Sequence, residues 1–174
     1  DDSGTGGGDE DETIDYLTCT GTAVDAAAYS MGELPLNTIE ISILPFFTTT
    51  LSGDLVFSRG DYETSTELTD DESDIGYEST FSNTYADIAL SGMGLSCTIL
   101  VDGILELDGI AYYGDGYIGA SRPDYSITDL EHDCGDYGIG DDTIESYLAD
   151  MFSGIELTFA ESIIDNLSGD CAMP

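Results

Sequence analysis

The sequence predicts an α+β fold: a long, curved antiparallel sheet packed against one long C-terminal amphipathic helix, stapled by two disulfides. Three observations carry that expectation. Apolar and polar residues alternate over most of residues 39–113, the apolar spacing switches to steps of three and four after residue 141, and four cysteines are spread widely along the chain.

The strand pattern begins at Ile39. Ile39, Ile41, Ile43, Phe47, Leu51, Leu55 and Phe57 share one parity, and Glu40, Ser42, Thr48, Thr50, Ser52, Asp54 and Ser58 take the other, as expected of a strand with one wet face. Pro45 should break or bend it, because proline has no N–H to give a ladder. RGDYETSTELTDDESD then reads as a polar loop, and IGYESTF and YADIALSG as two shorter strands. Further on, Cys97, Ile99, Val101, Leu105, Leu107, Ala111 and Tyr113 all carry odd numbers, with Asp102, Glu106 and Asp108 between them. Asp-Gly is a strong hairpin signal, but a turn at each would leave only ILEL between turns. One long strand bent by glycine bulges keeps the apolar set on one face and is the favoured reading.

At the C-terminal end, Ile144, Tyr147, Leu148, Met151, Phe152, Ile155, Phe159, Ile163 and Leu167 form one helical stripe. Asp142 with Glu145 approximates a capping box, and Gly169 supplies an end. Gly154 falls inside the stripe, where glycine costs about 1 kcal/mol relative to alanine, so a kink or a close approach is expected there. Near the other end a short helix is expected from Ala23 to Met31, stopping at Gly32. Residues 1–12, DDSGTGGGDEDE, contain nothing apolar and read as a flexible acidic tether; residues 13–174 read as a single disulfide-stapled domain.

Charge narrows the partners. Asp and Glu number 37, against Arg59 and Arg122, no Lys and one His, for a formal charge of −35. Nucleic acid is excluded as a partner, since its affinity rests on basic side chains, and an anionic membrane surface is disfavoured for the same reason. Saline surroundings or a need for a well-solvated surface account for such acidity without any specific acidic partner. Cys19, Cys97, Cys134 and Cys171 form no C-x-x-C pair and have only His132 nearby, so a zinc site is poorly supported. Two disulfides in one of three connectivities imply an oxidising, exported location: periplasmic, extracellular, or a cell-surface lipoprotein. No apolar run is long enough to span a membrane and the opening residues do not read as a signal peptide, so a processed form is expected.

No motif names a reaction. His132, in LEHDCGD, reads as a surface histidine among acids. GDGYIG, Gly114 to Gly119, matches a dinucleotide-binding string, yet Pro123 and the alternation after it oppose the required helix, so it reads as a glycine-rich turn. G-x-S-x-G, Walker A, H-E-x-x-H and S-x-x-K strings are absent, and a chain without lysine has no Schiff-base chemistry. No enzyme is expected. Calcium is the more credible cofactor: Asp70, Glu72 and Asp74 alternate in an oxygen-rich loop. The EF-hand pattern nevertheless fails at its sixth and twelfth positions, Ile75 and Phe81, and a solvated loop is the simpler account. The NLS sequon at Asn166 lies on the expected helix and is treated as chance.

The last third, with a strand carrying Cys134, a GDYGIG turn, a helix opening on YLADMF and running through GIELTFAESIIDNL, and Cys171 closing it, resembles the tubular lipid-binding family that includes bactericidal/permeability-increasing protein. In that family a highly curved sheet wraps a long helix, a disulfide ties sheet to helix, and acyl chains lie between them. The resemblance covers residues 97–171. It implies that Cys134 pairs with Cys171, leaving Cys19 with Cys97, and that an apolar or lipid-like ligand lies between sheet and helix. The cationic tip of the members that capture endotoxin is missing, and so are the family's strands after the helix; a closed tube would need a homo-oligomer such as a dimer, or a reduced form of the fold. The leading functional expectation is therefore a non-enzymatic binding protein whose ligand meets Met151, Phe152, Ile155 and Phe159 on the helix and Ile99, Val101 and Leu105 on the sheet. The alternative is an acidic Ca²⁺-binding cell-surface or filament subunit with no ligand cavity.

Overall fold

The computed structural model describes residues 15–69 and 74–173. The expected tether at residues 1–12, together with Asp70 and Glu72 of the expected calcium loop, lies outside the described residues.

The first element is a helix, α1 (Tyr16–Ser30). It is longer than the expected Ala23–Met31 segment because its first turns are built from threonines. Thr20 and Thr22 return their hydroxyls to the carbonyls of Tyr16 and Thr18 (2.8 and 2.9 Å), so their polarity is absorbed within the helix. Asp15 is the N-cap: its carboxylate accepts from the Thr18 hydroxyl (2.5 Å) and backbone N–H (3.1 Å), which holds it below the usual carboxylate range.

Eight strands follow in a single antiparallel sheet: β1 (Glu33–Pro35), β2 (Ile39–Leu44), β3 (Phe47–Phe57), β4 (Tyr62–Leu68), β5 (Ile75–Gly92), β6 (Leu95–Tyr112), β7 (Tyr117–Ala120) and β8 (Asp124–His132). Pro45 does end a strand, in the turn between β2 and β3. The segment expected to be a polar loop contains β4 instead. Between Tyr62 and Leu68, YETSTEL holds only polar residues, so hydrophobic patterning carries little sign of it; Tyr62 to Leu68 pair along β5 from Phe81 to Ile75.

The two 18-residue strands β5 and β6 form the spine. IGYESTF and YADIALSG are one strand. Its buried residues run Ile75, Tyr77, Ser79, Phe81 and then Thr84, Ala86, Ile88, Leu90, and the change of parity is taken up by a bulge between Phe81 and Thr84. On β6 the odd-numbered apolar set is buried throughout, from Cys97 to Ala111, as the single-strand reading expects. β3 and β4 share the outer edge of β5; β8 and β7 share that of β6.

The C-terminal helical segment covers the buried face, but as two helices. After a 3-10 turn, η1 (Cys134–Tyr137), come α2 (Asp141–Met151) and α3 (Ile155–Asn166), divided at Gly154, whose φ of 100° is a left-handed conformation that glycine adopts without a Cβ clash. The Asp142–Glu145 capping box does not form: Gly140 is the N-cap, and Asp141 and Asp142 lie in the first turn. α1 packs on β4, β5 and α3, and α3 packs on β6 and β7. Phe81 sits at the centre, with Phe57 and Phe159 edge-on at 4.9 and 5.9 Å between ring centroids.

Both disulfides form, with a connectivity that corrects the family-derived pairing. Cys97 joins Cys134, and Cys19 joins Cys171. Sheet register explains the first: Ile99 lies opposite His132, which brings Cys97 and Cys134 to a Cα separation of 5.2 Å across β6 and the end of β8. The second follows from the packing of α1 on α3, which sets Cys19 beside the turn η2 (Gly169–Cys171). Two disulfides fit an oxidising, non-cytoplasmic compartment. No described helix is long and apolar enough to cross a membrane.

The other face of the sheet is open and acidic. Register places exposed carboxylates directly opposite each other at Asp54/Asp87, Glu78/Asp108, Asp102/Asp129 and Glu106/Asp124. Like charges so placed repel across about 5 Å. Asp87→Lys should therefore stabilise the fold by roughly 0.2–1 kcal/mol in denaturant unfolding, and the gain should shrink as salt screens the pair. No gain at low salt would show that the facing pairs cost nothing.

Candidate ligand-binding cleft

The cleft is built where β8 runs beneath α2. Arg122 and Pro123 lead into β8, whose inward residues Tyr125 and Ile127 are followed by a bulge opposite Asp102 and Gly103, so that Leu130 and His132 still face the helices. Gly103 has a structural reason: a Cβ there would run into the Tyr125 ring. That ring packs on Phe152 at 4.4 Å between centroids, and its hydroxyl lies 3.4 Å from that of Thr84, which donates to the Gly103 carbonyl (2.8 Å).

Beside this pair lies a cavity of about 460 Å³, lined by Tyr125, Ile127, Leu148, Ala149 and Phe152 together with Arg122, Pro123, Asp124 and Glu145. The volume is within the range of small-molecule sites. Arg122 is one of two cationic side chains in the chain besides the histidine. The other, Arg59, lies over the Tyr29 ring at 5.7 Å. A smaller hollow of about 320 Å³ sits at the helix break, lined by residues that include Leu34, Asn37, Met151, Gly154 and Ile155. There Asn37 holds the end of α2, its backbone N–H donating to the Met151 carbonyl (3.0 Å) and its side chain to that of Ser153.

Of the residues expected to touch a ligand, Ile99, Val101, Leu105 and Phe159 are at most 1% exposed and belong to one continuous core with Met151, Phe152 and Ile155. Phe152 also borders the larger cavity, and Met151 and Ile155 border the smaller one. Sequence reasoning missed Tyr125, Ile127, Leu148, Ala149 and Arg122 as cleft residues. The signal available for Arg122 was its scarcity.

His132 is not the surface histidine that its acidic neighbours suggest. Its side chain is 13% exposed and points inward, across from Ile99. The Cys134 N–H donates to Nδ1 (3.2 Å), so Nε2 carries the proton and donates to the Asp141 carboxylate (2.8 Å). The ring thereby ties the end of β8 to the start of α2; neither Glu131 nor Asp133 is its partner. Asp133 instead accepts from the Thr98 N–H (2.7 Å). Asp133 converges with Cys97 and Cys134, but those sulfurs are joined and offer no thiolate to a metal. Asp74, the described member of the expected calcium loop, is half-buried, and its carbonyl accepts from the Thr69 N–H (2.9 Å) to close the β4–β5 connection. Gly114–Gly119 spans the β6–β7 hairpin turn and the start of β7, as the turn reading expects. Asn166 is the last residue of α3.

No family model matches the chain, and no curated protein matches it.

His132→Ala should cost about 1–2 kcal/mol in denaturant unfolding by stranding the Cys134 N–H and freeing Asp141. Glu131→Ala, on the open face, should stay within about 0.5 kcal/mol of the parent; equal effects would contradict the assigned contacts. Alkaline pH gives a separate test. Burial is the main cause that pushes Tyr77, Tyr113 and Tyr125 above the ordinary value of 10.0. The native state then keeps these protons longer than the unfolded chain does. Their contribution to stability is intact below pH 10 and is lost as pH rises above it. Absorbance titration should show late-ionising tyrosines whose titration coincides with loss of the circular dichroism signal. Uniform ionisation near pH 10 in a folded chain would contradict their burial.

Proposed function

We propose that this is an exported, non-enzymatic binding protein that holds an apolar, lipid-like ligand between the sheet and the C-terminal helical segment, in the cleft bounded by β8 and α2. One observation carries the reading: a cavity of about 460 Å³ with Tyr125, Ile127, Leu148, Ala149 and Phe152 along it lies at the sheet–helix junction. Apolar and aromatic walls with a few polar groups are the usual make-up of such sites. Here the polar groups are Arg122, Asp124 and Glu145, a mixed set that suits a ligand with a polar end. The resemblance to tubular lipid-binding proteins supports the same reading. In it, the sheet curves around an amphipathic helical segment through the bulges of β5 and β8, with the ligand at the sheet margin against Tyr125, Ile127, Leu148 and Phe152, while Ile99, Val101, Leu105 and Phe159 stay in the packed core.

A fluorescent fatty-acid probe should bind the protein saturably, and Ala149→Trp, which fills the cavity, should weaken that binding about tenfold or more with an unchanged melting temperature. Native mass spectrometry of protein purified from its source should show a co-purifying lipid. Absence of probe binding, or equal binding by Ala149→Trp, would exclude the cleft.

The facing carboxylates of the open sheet favour a second reading, an acidic Ca²⁺-binding cell-surface or filament subunit. In that case the melting temperature rises steeply with millimolar calcium and much less with NaCl of equal ionic strength.

A further inference from the structure

Among the described residues, the non-glycine residues with left-handed backbone are Phe46 (φ 81°) and Met93 (φ 54°). Large side chains rarely adopt that conformation, and retention of such strain points to a use for the position. Both residues are also exposed, Phe46 fully and Met93 at 65%. Phe46 follows Pro45 in the β2–β3 turn, at the position where a type II turn ordinarily takes glycine or asparagine. Met93 lies in the β5–β6 turn, between Gly92 and Gly94. Thr50 pairs with Ser91 and the Thr49 hydroxyl donates to the Ser91 carbonyl (2.6 Å), so the two turns project side by side from one end of the sheet, with Phe47 also exposed.

Charge is excluded from this end. Asp and Glu make up 37 of 174 residues, yet none falls within residues 41–53 or 88–101, and neither arginine does. The nearest carboxylates stand further back: Glu40 opposite Thr50, Asp133 at the Thr98 N–H, and Asp136 beside Tyr137, whose hydroxyl donates to the Ser96 carbonyl (3.1 Å). Ser96 pairs with Ser91 and lies two strand residues behind the turn at Met93 and Gly94, about 7 Å. The tip is therefore apolar and uncharged over about the depth to which interfacial segments enter a bilayer, 5–10 Å. Threonine and serine hydroxyls at Thr48, Thr50 and Ser91 lie at the level where headgroups would meet them. Three side chains on a convex tip cannot cover the roughly 800 Å² per partner that a stable protein interface uses.

We propose that the paired tips of the β2–β3 and β5–β6 hairpins, through Phe46, Phe47 and Met93, insert into the surface of an uncharged, zwitterionic lipid bilayer. The charge of −35 and the lack of cations at the tip explain why the surface is zwitterionic. The inference is independent of the β8–α2 cleft.

The chain contains no tryptophan, so Phe46→Trp gives a single reporter at the tip. Its emission should shift to the blue on addition of phosphatidylcholine vesicles, and less with phosphatidylglycerol vesicles at low salt. In flotation with phosphatidylcholine vesicles, the parent chain should bind and Phe46→Gly/Met93→Gly should bind about a hundredfold more weakly. The melting temperature of that double variant should equal or exceed the parent's, because glycine relieves both positive-φ positions. No flotation of the parent, equal flotation of the double variant, or an unshifted emission from the Phe46→Trp reporter would overturn the proposal. So would lipid-free dimerisation abolished by the same two glycine substitutions, which would identify a second copy as the occupant.

Discussion

Everything in this fold depends on keeping one face of the β5–β6 hairpin apolar along its whole length. Side chains in a strand alternate strictly, so a slip of one residue would expose the core and bury the acids. The bulge at Ser82 and Asn83 performs that slip deliberately. It moves the inward set from Ile75–Phe81 to Thr84–Leu90 while β6 keeps its odd-numbered set inward. The bulge opposite Gly103 does the same for β8. Phe81, next to the first bulge, is where the aromatic cluster with Phe57 and Phe159 forms.

That one-sided division also explains how so acidic a chain stays folded. Carboxylates are concentrated on the open face, at the helix surfaces and in loops, where water and counterions solvate them, at the cost of direct cross-strand repulsion. The helices close the other face, and the disulfides tie down the two places where the cover would otherwise lift. Cys97–Cys134 holds the turn into α2 against β6, and Cys19–Cys171 holds the end of the chain against α1. The β8–α2 cleft lies on the margin of this cover, away from the central packing of α1 and α3.

Strand content and the buried face were legible in the sequence where one parity persists, as over Cys97 to Ala111. They were not legible where a bulge changes parity, which makes β5 look like two strands, or where threonines take the inward positions between the strand's ends, as Thr64 and Thr66 do in β4. The helical stripe from Ile144 to Leu167 was legible because burial sets its spacing, and Gly154 marked the interruption without showing that two helices result. Cysteine pairing depends on the β6–β8 register and on α1 meeting α3, which are long-range facts with no local signal; the family likeness pointed to a different pairing. Of the expected contact residues, Phe152 alone borders the larger cavity. The remaining lining comes from Tyr125 and Ile127, whose inward facing is set by β8 pairing, and from Leu148 and Ala149, whose place is set by the docking of α2.

The apolar tip at Phe46 and Met93 and the cleft beside Phe152 are two departures from an otherwise simple plan of oil inside and acid outside. Both presuppose that the bulged hairpin is the rigid element on which the rest is mounted. Native-state hydrogen exchange tests that premise most directly, because amides in the most stable unit exchange only through global unfolding. The slowest amides should lie on β5 and β6, between Tyr77 and Leu90 and between Ile99 and Leu107, with exchange free energies equal to that of global unfolding. Amides of α2 or α3 that outlast them would contradict the account and make the helices, instead of the hairpin, the element on which the structure depends.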